Sequence, residues 1–203
     1  MARPADVAMP ERIAALDRDH RGYPIPFVVF RELDGRPDFV VNDATRTWQA
    51  ALEELCHICG QELETRQPWF GGGPGNALLN GDVAVYIDGP AHHDCLRYAL
   101  QACPHLAGQL LKPVQLQAVT QRLAGQGVRT VDNTVIAGVP AVFVAVQAHV
   151  YRADRRGDHL VYEVLKPFRK VEYWAKGELL PRDEGEREAK RWARKVQKEL
   201  DHG

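Results

Sequence analysis

Cys56-His57-Ile58-Cys59-Gly60 and, further along, His92-His93-Asp94-Cys95 are the stretches on which the reading of this chain turns. The first has the spacing that lets two thiolates grip one metal ion, and its glycine permits the positive φ of the tight turn that closes it. The second sets a histidine and a cysteine three positions apart, on one face at the start of a helix. There the helix dipole favours the thiolate that a metal needs. Between the two pairs lie 32 residues, room for a loop and a strand. Cys56, Cys59, His92 and Cys95 together form a complete Cys3His set for one tetrahedral zinc ion. His93 is the alternative fourth ligand. Adjacent helical positions point about 100° apart, and the knuckle spacing favours His92.

A Cys-x-x-Cys redox pair is the competing reading, but such a motif follows a strand and opens a helix. Here a helix leads into Cys56 and a turn follows it. Cys103 lies two turns beyond Cys95, too far along the helix to share the ion, and reads as a small buried hydrophobe. His57, inside the knuckle, is expected to face solvent.

A knuckle, then a β segment, then a helix whose first turn brings the second ligand pair resembles the treble-clef zinc finger, from about Leu55 to Leu106. The longer string continues after Cys95 with Tyr98, Ala99, Cys103 and Pro104, and Asp19-His20-Arg21-Gly22-Tyr23-Pro24-Ile25-Pro26 precedes it. It is similar to a group of uncharacterised bacterial and phage-borne zinc-binding proteins. That resemblance implies the four ligands and no reaction.

Four protein ligands, three of them thiolates, leave a zinc ion no open position and little Lewis acidity, so the zinc reads as structural. The His-x-Glu and Pro-Cys-x-x-Cys strings of zinc deaminases are absent. A treble clef can also carry a nuclease site of the HNH type, where a histidine activates water and a second metal holds the phosphate. The catalytic candidates would then be His93 with Asp94, or His20 beside Asp19, and neither falls in a His-Asn-His arrangement. Asp19 and His20 read first as turn chemistry. Phe70-Gly71-Gly72-Gly73-Pro74-Gly75 lacks the Gly-Lys-Ser/Thr of a phosphate loop and is expected to be a flexible loop.

The chain has 203 residues, 45% hydrophobic and 26% charged, which excludes disordered and fibrous classes. Four cysteines are too few for a disulfide scaffold. A net charge of −1 excludes the global positive field of a non-specific nucleic-acid or membrane binder. The charge is unevenly spread, with 7 basic against 10 acidic residues over 1–55, 3 against 5 over 56–112 and 16 against 12 over 113–203. The N-terminal residues hold no apolar run of the secretory type, so a cytoplasmic protein is expected. The longest apolar stretch, 138–146, is about half the ~20 residues a membrane span needs.

Hydrophobic periodicity and turn residues place the elements. A short helix is expected over Glu11–Leu16, then a hairpin of Pro26–Glu32 and Asp38–Val41 about Asp34-Gly35. Asn42 to Thr45 caps a helix with Trp48, Ala51, Leu52 and Leu55 on its apolar face. A turn-rich stretch over Phe70–Asn76 precedes a strand at Val83–Ile87, and a helix runs from His92 towards Leu106. A helix over Pro113–Ala124 is followed by strands at Thr134–Ile136, Ala141–Arg152, His159–Leu165 and Lys170–Ala175, read as a meander. His149, Tyr151, Tyr162, Glu163, Glu172, Tyr173 and Trp174 on those strands are a candidate small-molecule pocket. Gly185–His202 closes the chain as a basic amphipathic helix, with Ala189, Trp192, Ala193, Val196 and Leu200 on its stripe.

The expected fold is α+β, with a zinc unit and an N-terminal hairpin over 1–112 and an antiparallel sheet with a closing helix over 113–203. The expected function is a non-enzymatic module with one structural zinc. Its partner, protein or nucleic acid, would meet Arg187, Lys190, Arg191, Arg194, Lys195 and Lys198. A metal-dependent nuclease or other hydrolase and a small-molecule binder are the alternatives.

Overall fold

A computed structural model describes residues 6–103, 106, 130–132, 140–157 and 159–202. Helix α1 (Glu11–Ala14) leads to strands β1 (Val29–Arg31) and β2 (Pro37–Asp43), and helix α2 (Ala44–Leu52) follows at once. Strand β3 (Trp69–Gly72), helix α3 (Pro74–Leu78), strand β4 (Val83–Tyr86) and helix α4 (His93–Ala102) make up the middle of the chain. Beyond them come β5 (Thr130–Asp132), β6 (Phe143–Gln147), β7 (Tyr151–Arg156), β8 (His159–Leu165), β9 (Lys170–Ala175), β10 (Glu178–Leu179) and a long final helix, α5 (Arg182–His202). The expected helix over 113–124 and strand over 134–136 lie outside the described residues.

The strands form three antiparallel sheets, ordered β1-β2-β5, β10-β9-β6-β3 and β4-β8-β7. Each takes strands from both sides of residue 112. The protein is therefore a mixed α+β fold with antiparallel sheets and a C-terminal helix.

Alternation along the four-stranded sheet explains why its strands are apolar at nearly every position. Trp69, Phe143, Ala145 and Trp174 point into a core shared with α4 and the cysteines. Their neighbours Phe70, Val144, Val146 and Tyr173 point into a second core with Tyr86, Tyr162, Val164 and Ala189 of α5. A sheet covered on both faces needs hydrophobic residues in both phases of its period-2 pattern. The cluster of Cys56, Cys59, His92 and Cys95 thus sits on one side of the sheet, and the three-stranded β4-β8-β7 sheet with α5 on the other.

The hairpin forms about Asp34-Gly35 as expected, with Gly35 at φ +83° and the Asp34 carboxylate accepting from the Arg36 N–H. Asp43 caps α2 through the N–H groups of Thr45 and Arg46. The buried face of that helix is Ala44, Thr47 and Ala50, whereas Leu52, expected inside, is 79% exposed. Phe70 to Asn76 is a correction as well. Trp69–Gly72 is a strand paired with β6, and Pro74 opens the short helix α3.

The stretch 141–152 is two strands, because the chain turns at 148–150 and leaves β6 for a different sheet from β7. The C-terminal strands are consequently no single meander. Tyr162 and Trp174 are fully buried in the two separate cores, so the candidate pocket residues do not gather on one sheet face. Lys176 and Gly177, both at positive φ, turn β9 into the unforeseen β10, as a two-residue hairpin requires.

Helix α5 begins at Arg182, three residues before the expected start, and buries Ala189, Ala193 and Val196. Gly185 lets it approach β9, since a Cβ there would lie 2.2 Å from the Cβ of buried Tyr173. Alanine normally stabilises a helix by about 1 kcal/mol over glycine. Here Gly185→Ala is expected to destabilise by about 1–3 kcal/mol through overpacking, read as a lowered urea midpoint at unchanged slope.

Candidate metal centre

The knuckle is held in place by backbone hydrogen bonds on every side. Gly60 N–H donates to Cys56 O at 2.8 Å and Cys56 N–H to Gln61 O at 2.8 Å, which closes the turn. Gly60 takes φ +72°, with its α-carbon face against the Phe27 ring. Phe27 N–H in turn donates to Ile58 O at 2.8 Å, so the segment before β1 is laced to the knuckle. On the other flank, His57 N–H donates to Pro90 O, and Ala91 exchanges both backbone bonds with Trp69. That rib carries the chain straight into His92, the N-cap of α4.

Cys56, Cys59, His92 and Cys95 are brought together, all buried, with one ligand atom of each within 4.8 Å of the others. His92 Nδ1 lies 3.4 Å from Cys59 Sγ and 3.9 Å from Cys95 Sγ. Zinc bonds of about 2.3 Å to sulfur and 2.0 Å to nitrogen give tetrahedral edges of about 3.5–3.8 Å, so this spacing suits such an ion. His92 Nε2–H donates to Glu62 O at 3.0 Å, which leaves Nδ1 bare for a metal and fixes the ring.

The thiols press the same point electrostatically. Burial opposes ionisation of Cys56, but hydrogen bonds from Cys59 and Cys95 outweigh it and bring its pKa down to about 3. Cys95 moves up, through its hydrogen bonds to Cys56 and Cys59 and through burial. A buried thiolate at Cys56 thus keeps the Cys95 thiol protonated until a cation supplies the balancing charge.

No protein family, curated protein or solved structure matches the chain. Strands β3 and β4, between the two ligand pairs, belong to different sheets and pair with β6 and β8.

The neighbouring histidines have other employment. His93 stacks on Trp69 with ring centroids 4.1 Å apart and donates from Nε2 to Glu172 Oε1 at 2.8 Å. Trp174 Nε1–H takes the second Glu172 oxygen at 3.1 Å, and Arg97 lies over the Trp174 ring. Burial raises the Glu172 carboxyl, yet the His93 hydrogen bond and charge hold it below its ordinary range. This joins α4 to β9. His20 is exposed, and the Asp19 carboxylate beside it is consumed by Arg21 and Tyr23 in the turn.

His57 is a correction: it is buried, not solvent-facing. Its Nδ1 accepts from Gly89 N–H at 2.9 Å, so Nε2 carries the proton and donates to Tyr162 Oη at 2.9 Å. Gly89 is required, because a Cβ there would lie 2.1 Å from His57 Nε2. Nothing in the sequence near His57 signals this, since Gly89 and Tyr162 stand 32 and 105 positions away.

Proposed function

We propose that this chain is a zinc-binding interaction module in which one structural zinc, held by Cys56, Cys59, His92 and Cys95, fixes a treble-clef-like unit. The observation that carries the reading is the convergence of four buried ligand residues with the His92 ring already oriented by Glu62 O. A full protein shell supports a structural over a catalytic ion. No helix of the described residues is long and apolar enough to cross a membrane.

The surface proposed for a protein or nucleic-acid partner is the outward face of α5, where Arg187, Lys190, Arg191, Arg194, Lys195 and Lys198 are exposed. Lys190 and Arg191 pair with Glu186 and Glu188, which lowers the field available to a polyanion.

Elemental analysis and cobalt substitution test the metal. One zinc per chain and the intense visible absorption of tetrahedral thiolate-bound cobalt are expected. Substoichiometric zinc, or a five-coordinate cobalt spectrum with a water ligand, would remove the structural assignment. For the surface, a glutamate set at Arg187, Arg194 and Lys198 should abolish salt-sensitive binding of a short DNA or RNA duplex without altering zinc content.

A further inference from the structure

Strand β7 closes one side of the β4-β8-β7 sheet, and its six residues make it the longest edge strand among the described residues. The register fixes which of its backbone groups point outwards. Leu165 N–H donates to Val150 O at 3.0 Å, and these two residues stand opposite each other in the run that pairs Tyr151 with Val164 and Arg152 with Glu163. Hydrogen-bonded and non-hydrogen-bonded pairs alternate along an antiparallel ladder, so Val150, Arg152, Asp154 and Arg156 turn their backbone towards β8. Tyr151, Ala153 and Arg155 turn theirs the other way, to the side where the described residues place no strand. From Arg152 onwards every residue of the strand is exposed.

The side chains alternate in the same phase. Arg152, Asp154 and Arg156 project from one face, with side chains 69%, 51% and 54% exposed. Arg152 Nε donates to Glu163 Oε2 at 2.7 Å and Arg156 Nη2 to Glu163 Oε1, so the buried Glu163 holds both guanidiniums in place beside the edge. An edge guarded against self-pairing carries charges of one sign. Here the sign alternates, and one antiparallel self-pairing is complementary. With Ala153 opposite Ala153 of a second copy, Arg152 faces Asp154 and Asp154 faces Arg152, in the non-hydrogen-bonded positions where opposing side chains come closest. On the other face of the sheet Tyr151 then stands opposite Arg155, a ring beside a cation. The neighbouring registers are repulsive: one sets Arg152 against itself, the other sets Asp154 against itself and Arg152 against Arg156.

We propose that β7 is a dimerisation edge, on which a second copy of this chain adds its own β7 antiparallel about a two-fold axis at Ala153 and joins two three-stranded sheets into one. This edge is independent of the zinc reading and uses neither the metal nor α5. Residues 150–156 of each copy face one another, fewer than the ~20–30 residues a side of a standard interface, so the dimer is reversible with a Kd on the order of 10–100 μM.

Sedimentation equilibrium of the zinc-loaded full chain across that concentration range should show a monomer–dimer equilibrium, and a monomer throughout overturns the proposal. Hydrogen exchange needs no variant: the Ala153 amide should exchange more slowly as the chain is concentrated, and exchange independent of concentration overturns it too. Ala153→Pro removes an N–H that points away from β8, so the ladder within each copy survives and dimerisation should be lost. Charge exchange tests the register. Asp154→Arg and Arg152→Asp, the latter with Arg156 still pairing Glu163, each turn two attractive cross-strand pairs into two repulsive ones. Each variant alone should self-associate about 10-fold or more weakly, and an equimolar mixture of the two should recover the wild-type affinity. Near-ultraviolet circular dichroism reports the fold of each variant. A dimer that survives Ala153→Pro, or a mixture that associates no more tightly than either variant alone, places the contact elsewhere and overturns the proposal.

Discussion

Replacing Cys95 by serine is expected to abolish stoichiometric zinc and to leave a chain without cooperative unfolding. Cys95 and Cys56 are both wholly inaccessible, packed with Ile13, Trp69, Leu96 and Trp174 in the core that covers one face of the central sheet. Structural zinc contributes about 10–16 kcal/mol in small metal-folded units. A domain's whole net stability is about 5–15 kcal/mol. Losing the ion therefore outweighs what the rest of that core can offset, because the three remaining ligands become unpaired polar groups in an apolar interior. A hydroxyl keeps nearly the shape of the thiol but is a far poorer zinc ligand. Strong chelators should reproduce the effect on the wild type. Cys103→Ser is the control: it lies outside the ligand set and should keep both zinc and fold. Zinc content and near-ultraviolet circular dichroism decide the matter, and a Cys95→Ser protein that unfolds cooperatively at the wild-type urea midpoint would show that the ion is dispensable.

The gathering of Cys56, Cys59, His92 and Cys95 was legible because its information is local: two pairs at fixed spacing, each in a recognisable turn or helix start. The same holds for the hairpin at Asp34-Gly35 and for β8 and β9, whose ends coincide with the expected ones, since turn residues bracket them. Where tertiary contact decides, local signals misled. Gly71 and Gly72 suggest a loop by composition, yet they lie in a strand. A Cβ on Gly71 would stand 2.7 Å from Leu96 and one on Gly72 3.0 Å from Asn76, so these glycines serve close packing. Leu52 fits the apolar stripe of α2 but is exposed, and the smaller Ala44 and Ala50 are inside instead. The turn between β6 and β7 contains Ala148, His149 and Val150, with neither glycine nor proline to announce it. Strand β3 pairs with β6 and β4 with β8 across more than seventy positions, which no short-range pattern records.

His57 carries the second large expected effect. Its ring sits edge-on to Tyr162 at 5.4 Å, donates to the tyrosine hydroxyl and accepts from Gly89, so both nitrogens are satisfied in the neutral form. His57→Ala removes a buried ring and strands two polar partners, which is expected to cost about 3 kcal/mol or more. Acid should find the same site. Burial pushes the His57 pKa down from its ordinary 6.5 to about 3. The unfolded chain then binds a proton below pH 6.5 that the folded chain refuses. Stability from this group is complete above that pH and drains away as the pH falls towards 3, at up to about 1.4 kcal/mol per pH unit. Zinc release adds its own acid loss, so the comparison that isolates His57 is the slope of unfolding free energy against pH from 7 to 5. The wild-type slope should exceed that of His57→Ala by most of one proton while zinc remains bound in both. Parallel slopes would mean that His57 takes up its proton in the folded protein over the same pH range as in the unfolded chain, and burial would then not be holding the ring neutral.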